Sequence, residues 1–337
     1  MKPLLVQGVD MNSQKRTTHK PPTVISTFSG CGGSSYGYHL AGYKVLLAVE
    51  MDTHAVATYQ RNFPQTPVYY GDIHKLSVEK VLETTGLIPG ELDLFDGSPP
   101  CQGFSTAGAR DFCDTKNQLY HEYIRLLRGL YPKTFVMENV SGMIKGNMKI
   151  IFKDILTQLK ASGYDVRAKL MNAQYYNCPT SRQRMIFIGV RKDLGIPASH
   201  PKPTSKPITV REAIGHLENK IKPNNSSITR YAHYLKPGQK SGDLPYFPTK
   251  TRDIYRVRPN KPCPTITRKP QLVHYKENRE LDVQELSILQ SFTYPPNTFK
   301  WIGSDNQIKE RIGNSVPPNL MKAIAEHIRY NILDKIS

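Results

Sequence analysis

Between Thr23 and Val190 the chain alternates short apolar runs with stretches of helical spacing, and this alternation restricts its fold more than any other feature. The runs are TVISTFS, KVLLAVE, PVYYGDI, LDLFDGS, KTFVMEN, VRAKLMN and RMIFIGV. Segments such as HAVATYQRNF, YHEYIRLLRGL and IIFKDILTQLK lie between them, with apolar residues at roughly helical intervals. Apolar strands separated by helices predict an α/β fold with a mostly parallel sheet. In such sheets ligands bind at the carboxyl ends of the strands. Gly30, Glu50, Asp72, Cys101 and Glu138 stand at or just past the ends of successive runs, so they are expected to converge on one rim.

The turn after the first run holds Gly30, Gly32 and Gly33, and the second run ends in Glu50, 20 residues after Gly30. Glycines let the backbone approach a ligand closely, and an acid at the tip of the second strand can accept from ribose hydroxyls. The spacing fits a nucleoside cofactor. The turn is G-x-G-G, not G-x-G-x-x-G, so a pyrophosphate-bearing dinucleotide is not favoured. Asp72, after the third run, is a candidate acceptor for an adenine amino group.

The fourth run leads into DGSPPCQGFS, Asp96 to Ser105. Pro99 and Pro100 fix their own φ and restrict the residue before each, so the backbone entering Cys101 has few conformations left. Such a turn aims a side chain, or it merely carries an inert thiol. Glu138, after the fifth run, is either a solvated strand end or a catalytic acid beside that thiol.

The 46 lysines and arginines against 28 acids give a net charge of +18, which points to a polyanionic partner, with nucleic acid the commonest. From Arg191 to Glu280 there are 19 basic and 7 acidic residues, with twelve prolines and five tyrosines, a texture of loops and short strands. Residues 1–22 read as a flexible basic tail, 23–190 plus 304–337 as a large domain, and 191–303 as a smaller one. Five cysteines, Cys31, Cys101, Cys113, Cys178 and Cys263, show no C-x-x-C pair and no histidines at ligand spacing, so free thiols are expected and a zinc site is not. No run approaches the roughly 18 apolar residues of a membrane span, and a cytoplasmic location is expected.

In order, FSGCGG, EMD, GDI, GSPPCQGFS, ENV, the R-x-R of PTSRQRMIFIG, PTITR and GNSVPP resemble the S-adenosylmethionine-dependent cytosine-5 DNA methyltransferases from Val24 to about Ile328. The resemblance implies a Rossmann-like methyltransferase fold with a small, strand- and loop-rich target-recognition domain. It assigns Cys101 as the nucleophile for carbon 6 of cytosine, Glu138 as the acid facing ring nitrogen 3, and Arg184 with Arg182 as the arginines steadying the base. For S-adenosylmethionine it adds Phe28, Cys31, Met51, Ile73, Pro100, Leu119, Asn314, Ser315 and Val316 to Gly30, Gly32, Gly33, Glu50 and Asp72. For the flipped cytosine it implies Gln102, Ser105, Asn139 and Thr265. Thr180 departs from the family, which usually has glutamine there.

The implied partner is double-stranded DNA, acted on by a monomer of bacterial or phage type, with a cognate restriction endonuclease as a possible companion. The RNA-modifying branch of the same fold carries a Cys-Phe-Thr motif that is absent here, and a non-catalytic relative would have lost Cys101, Glu138 or a cofactor residue. The stretch from Arg191 to about Tyr255 is expected to select the DNA site, and Arg256 to Arg268 to brace it and touch the DNA backbone.

Overall fold

The computed structural model describes residues 20–100, 119–146, 148–221, 228–245, 253–293 and 299–336. Cys101, Gln102, Ser105, Cys113 and most of the expected tail, residues 1–19, lie outside the described residues. Each apolar run becomes a strand: β1 (Thr23–Thr27), β2 (Lys44–Glu50), β3 (Val68–Tyr70), β4 (Leu94–Gly97), β5 (Thr134–Val140), β6 (Tyr164–Asn172) and β7 (Gln183–Arg191). Among them lie α1 (Gly33–Leu40), α2 (Thr53–Asn62), α3 (Val78–Thr85), α4 (Leu119–Leu130) and α5 (Met148–Ala161). The helices start and stop on local chemistry. Asp52 accepts from the Ala55 amide at 2.8 Å to open α2, Ser77 accepts from Lys80 at 3.1 Å to open α3, and Gly86 at φ 70° closes α3.

The sheet order is β3-β2-β1-β4-β5-β7-β6. Strands β1 to β5 pair in parallel, while β7 runs antiparallel to both β5 and β6. The expectation of a mostly parallel sheet holds, and the carboxyl ends of β1, β2, β3, β4 and β5 share one edge.

The rest of the chain forms α6 (Val210–Ile214), α7 (Thr229–Ala232), β8 (Tyr255–Arg256), β9 (Leu272–Val273), α8 (Val283–Leu289), α9 (Asp305–Asn314) and α10 (Pro318–Asn331). Strands alternate their side chains between two apolar layers. On one face Ile25, Phe95 and Phe135 meet Leu127 of α4 and Leu159 of α5; on the other Val24, Leu94 and Val136 meet Tyr38 of α1 and Leu320 and Ile324 of α10. A Cβ at Gly37 would stand 2.6 Å from the Pro318 carbonyl, so α1 and α10 touch at backbone distance. Among the described residues no helix is long and apolar enough to cross a membrane.

The smaller unit packs Val210, Ile214, Val257, Ile266, Leu286 and Leu289 into a separate core. Its described strands, β8 and β9, are two residues each, so loops predominate among its described residues. The expected division at residue 304 does not follow the packing. Ile308 and Ile312 of α9 sit in the small unit's core, whereas Phe292 and Phe299, assigned to the small unit, pack with Cys31, Ala48, Tyr59 and Phe63. Apolar spacing marks α9 as amphipathic but does not say which core its stripe enters.

Candidate active site

The Glu50 end of the site grows from two turns. Beyond β1 the backbone takes positive φ at Phe28 (53°), Gly30 (55°) and Gly32 (96°) before α1 begins. Glu50 then fastens this turn to β2. Its Oε2 accepts from the Gly30 amide at 2.7 Å, and its Oε1 accepts from the amides of Met51 at 2.8 Å and Asp52 at 2.9 Å. Four lone-pair sites on a carboxylate leave capacity for a further donor. Asp72 uses Oδ1 for the His74 amide at 3.0 Å and faces the His74 Nδ1 at 2.7 Å; the bond from the amide, then the one from the ring, holds its carboxyl below the usual range.

The chain's last motif forms the opposite wall. The Ser315 hydroxyl donates to the Arg311 carbonyl at 2.7 Å, and the Cys31 thiol lies 3.1 Å from the same hydroxyl oxygen. Burial pushes that thiol up to about 12, so Cys31 stays a neutral packing group. A Cβ at Gly33 would fall 2.5 Å from the Val316 carbonyl oxygen, so only glycine lets the two motifs meet. Gly32 does not border the cavity. A Cβ there would meet the Phe63 ring at 2.5 Å, and its φ of 96° suits glycine, so Gly32 serves the geometry of the turn.

At the reacting end, Asn139 donates from Nδ2 to the Pro99 carbonyl at 3.1 Å and accepts on Oδ1 from the Val140 amide at 2.9 Å. Its amide thus braces the Pro-Pro turn that leads to Cys101, and the same residue lines the cavity. Glu138 is 8% exposed and pairs through Oε1 with Arg184 Nε at 2.6 Å. Register explains the pairing: β5 and β7 place Arg184 opposite Val140, two residues beyond Glu138.

Arg182, 2% exposed, turns inward and donates from Nη1 to the Ile266 carbonyl at 2.9 Å; burial, and then the charge of Arg184, push its pKa down. Beside it Thr180 is fully buried, with its hydroxyl 3.4 Å from the Pro264 carbonyl. Backbone bonds from Ser181 to the Cys263 carbonyl at 2.8 Å and from Cys263 to the Pro179 carbonyl at 2.9 Å complete the joint. Thr180 therefore belongs to a seam that ties the R-x-R strand to the PTITR loop.

One cavity of about 540 Å3 joins the two ends. Phe28, Gly30, Cys31, Gly33, Glu50, Met51, Asp72 and Ile73 line it on one side with Asn314, Ser315 and Val316; Pro100, Leu119, Glu138, Asn139, Arg182, Arg184 and Thr265 line the rest. The size suits a small-molecule site. Arg268, which ends the stretch expected to touch the DNA backbone, also lines it, as does Arg311, which was missed from the sequence. Arg311 stands two residues before GNSVPP, and a basic residue beside a motif looks like any other member of the basic excess.

The chain matches the profile of the C-5 cytosine-specific DNA methylases over residues 22–330. It is 36% identical over 327 residues to the Type II methyltransferase M1.HphI of Haemophilus parahaemolyticus, covering 91% of this chain and 86% of that one. It is 32% identical over 350 residues to the Type II methyltransferase M.NgoPII of Neisseria gonorrhoeae, covering 95% and 98%. Among solved structures, a prophage-encoded E. coli protein described as a DNA modification methyltransferase superposes with a TM-score of 0.78 at 27% identity, covering 93% of this chain and all of that one. A match along nearly the whole length, over a sheet and cavity that bring the expected motifs together, places this chain in the family of C-5 cytosine-specific DNA methylases.

Proposed function

We propose that this DNA cytosine-5 methyltransferase binds S-adenosylmethionine at the Glu50 end of its cavity and a flipped cytosine at the Glu138 end. The observation that carries the proposal is the continuity of the cavity between Glu50 with Asp72 and Glu138 with Arg184. The cofactor end fits the group chemically: a glycine turn allows close approach, and two carboxylates offer acceptors to ribose and adenine donors. Bound there, the sulfonium would supply an electrophilic methyl.

The chain's own residues then make cytosine a nucleophile. Carbon 5 is a poor nucleophile, and the Cys101 thiolate adds to the electron-poor carbon 6, which pushes the ring electrons toward carbon 5 and nitrogen 3. Glu138, carrying a proton when the base is bound, donates it in a hydrogen bond to nitrogen 3 as that charge develops. Arg184 occupies Glu138 in the free protein, so the entering base shares the pair: nitrogen 3 takes Glu138 and the base carbonyl takes the guanidinium. After methyl transfer the carbon 5 proton leaves to a base, the electron pair returns, and the Cys101 sulfur departs. Arg182 acts at one remove, by holding Ile266 and with it the loop of Thr265.

A target inside a duplex must be extruded before it reaches this cavity, at a cost of about a few kcal/mol. The chain acts as a monomer on a short site, and its Type II relatives support a companion endonuclease of the same specificity. The match to DNA methylases leaves the RNA substrate without support.

The test is bisulfite sequencing of DNA from cells expressing the chain, paired with trapping on DNA that carries 5-fluorocytosine. Fluorine cannot leave as the proton does, so a covalent adduct that needs S-adenosylmethionine is expected, and it disappears in Cys101→Ala. A full-strength adduct in Cys101→Ala overturns the assignment of the nucleophile.

A further inference from the structure

Ionic groups on the cavity wall form a ladder that crosses from one unit to the other. Asp52 Oδ1, beside the tip of β2, lies 2.8 Å from Arg311 Nη1, and Arg311 Nη2 lies 2.9 Å from Glu310 Oε1. The same Glu310 oxygen accepts from Arg268 Nη2, on the loop after Thr265. The rungs differ in exposure: the side chains of Arg311 and Glu310 are 12% and 25% exposed, Arg268 57%. Glu310 therefore holds two guanidiniums at once. Arg311 has a second carboxylate in Asp52, while Arg268 reaches outward at the cavity mouth beside exposed Lys269.

An ion pair this exposed is weak and screened by salt. Duplex DNA offers a dense array of phosphates, and each cation that neutralises one releases a condensed counterion, which the carboxylate does not. Arg268 is thus placed where two anions compete for it.

We propose that Arg268 is a DNA-phosphate contact occupied by Glu310 in the free protein, so that Glu310 is an internal competitor of the substrate. On DNA entry the guanidinium passes to a phosphate, and Glu310 remains with Arg311. The proposal rests on duplex DNA as the substrate and says how one residue of the cleft meets it. Arg256 is excluded from this role, since it is buried and donates to the carbonyls of His274 at 2.8 Å and Glu277 at 3.1 Å.

The experiment titrates the full chain against a short fluorescent duplex of arbitrary sequence over a range of potassium chloride. Arg268→Gln should weaken binding and lower the slope of log affinity against log salt by about one. Glu310→Gln should tighten binding by about two- to five-fold, the scale of a screened ion pair. The double variant should behave as Arg268→Gln alone, and Arg268→Lys should keep the wild-type slope. If Glu310→Gln tightens binding by the same factor without Arg268, the carboxylate acts only as diffuse charge and the proposal fails. It fails equally if Arg268→Gln leaves affinity and slope unchanged. A wild-type chain that ignores the duplex at low salt overturns the DNA reading as well.

Discussion

Asp96 stands five residues before Cys101, wholly buried in β4, with Ser26 donating to one carboxyl oxygen at 2.8 Å and Tyr38 to the other at 3.0 Å. Burial pushes its pKa up to about 7, and the charge of Glu138 adds to the rise; the hydroxyls of Tyr38, Tyr59 and Tyr123 feel its charge in return. The folded state thus favours the protonated acid. That stabilisation is complete below the unfolded value of about 3.9 and fades as pH rises through about 7, an effect of up to about 4 kcal/mol. Asp96→Asn should flatten the fall in thermal stability between pH 5 and pH 8, and parallel melting curves for the two proteins would refute it. Asp96 attracted no notice in the sequence because its burial depends on α1, which follows another strand. Glu50 and Glu138 were legible, since a strand-end position is visible in the order of residues. The true partners of Arg182 and Asn139 were not: both are backbone carbonyls, which leave no mark in a side-chain pattern, and that of Arg182 lies 84 residues away.

The element that decides the cavity is the turn between β1 and α1, together with the segment between α9 and α10 that presses on it. Gly33→Ala would place a methyl 2.5 Å from the Val316 carbonyl and 3.1 Å from Ser315 Cβ, with no flexible side chain to yield. The backbone must shift, at about 1–3 kcal/mol in stability, and S-adenosylmethionine affinity measured by calorimetry should fall by at least about ten-fold. Retained affinity in a folded Gly33→Ala protein would mean that the cavity does not need this contact. All seven strands were visible as apolar runs, because central strands such as β1 and β4 are buried along nearly their whole length. The reversed direction of β7 was invisible, as an apolar run packs equally well pointing either way.

At the scale of the molecule, the packing sets borders for the two units that differ from the expected ones. Arg191 belongs to the large unit: it donates to the carbonyls of Gly90 at 3.1 Å and Tyr131 at 2.8 Å, and its guanidinium lies over the Tyr131 ring at 4.7 Å. Residues as late as Thr204 and Ser205 bond through their amides to the Tyr175 carbonyl. A specificity graft cut at Arg191 would remove these anchors. A graft from Lys220 to Asp253 spares them, and it should transfer the methylation pattern of a donor relative while adduct formation continues, as read by bisulfite sequencing. An active chimera that keeps its original pattern would place base selection elsewhere. A few of the basic residues prove to be internal, which composition cannot show: among the described residues Arg182, Arg256, Arg279 and Lys309 are buried, and Arg279 grips Glu285 at 2.7 and 2.8 Å inside the small unit. The contact of Gly33 with Val316 also bears on synthesis, because it joins positions 283 residues apart. A ribosome-bound chain that has not yet emerged past Val316 lacks one wall of the cavity, however well its first strands have folded. Emergence of Val316 therefore precedes assembly of the cavity, and a chain stopped short of it has no closed site in which to act.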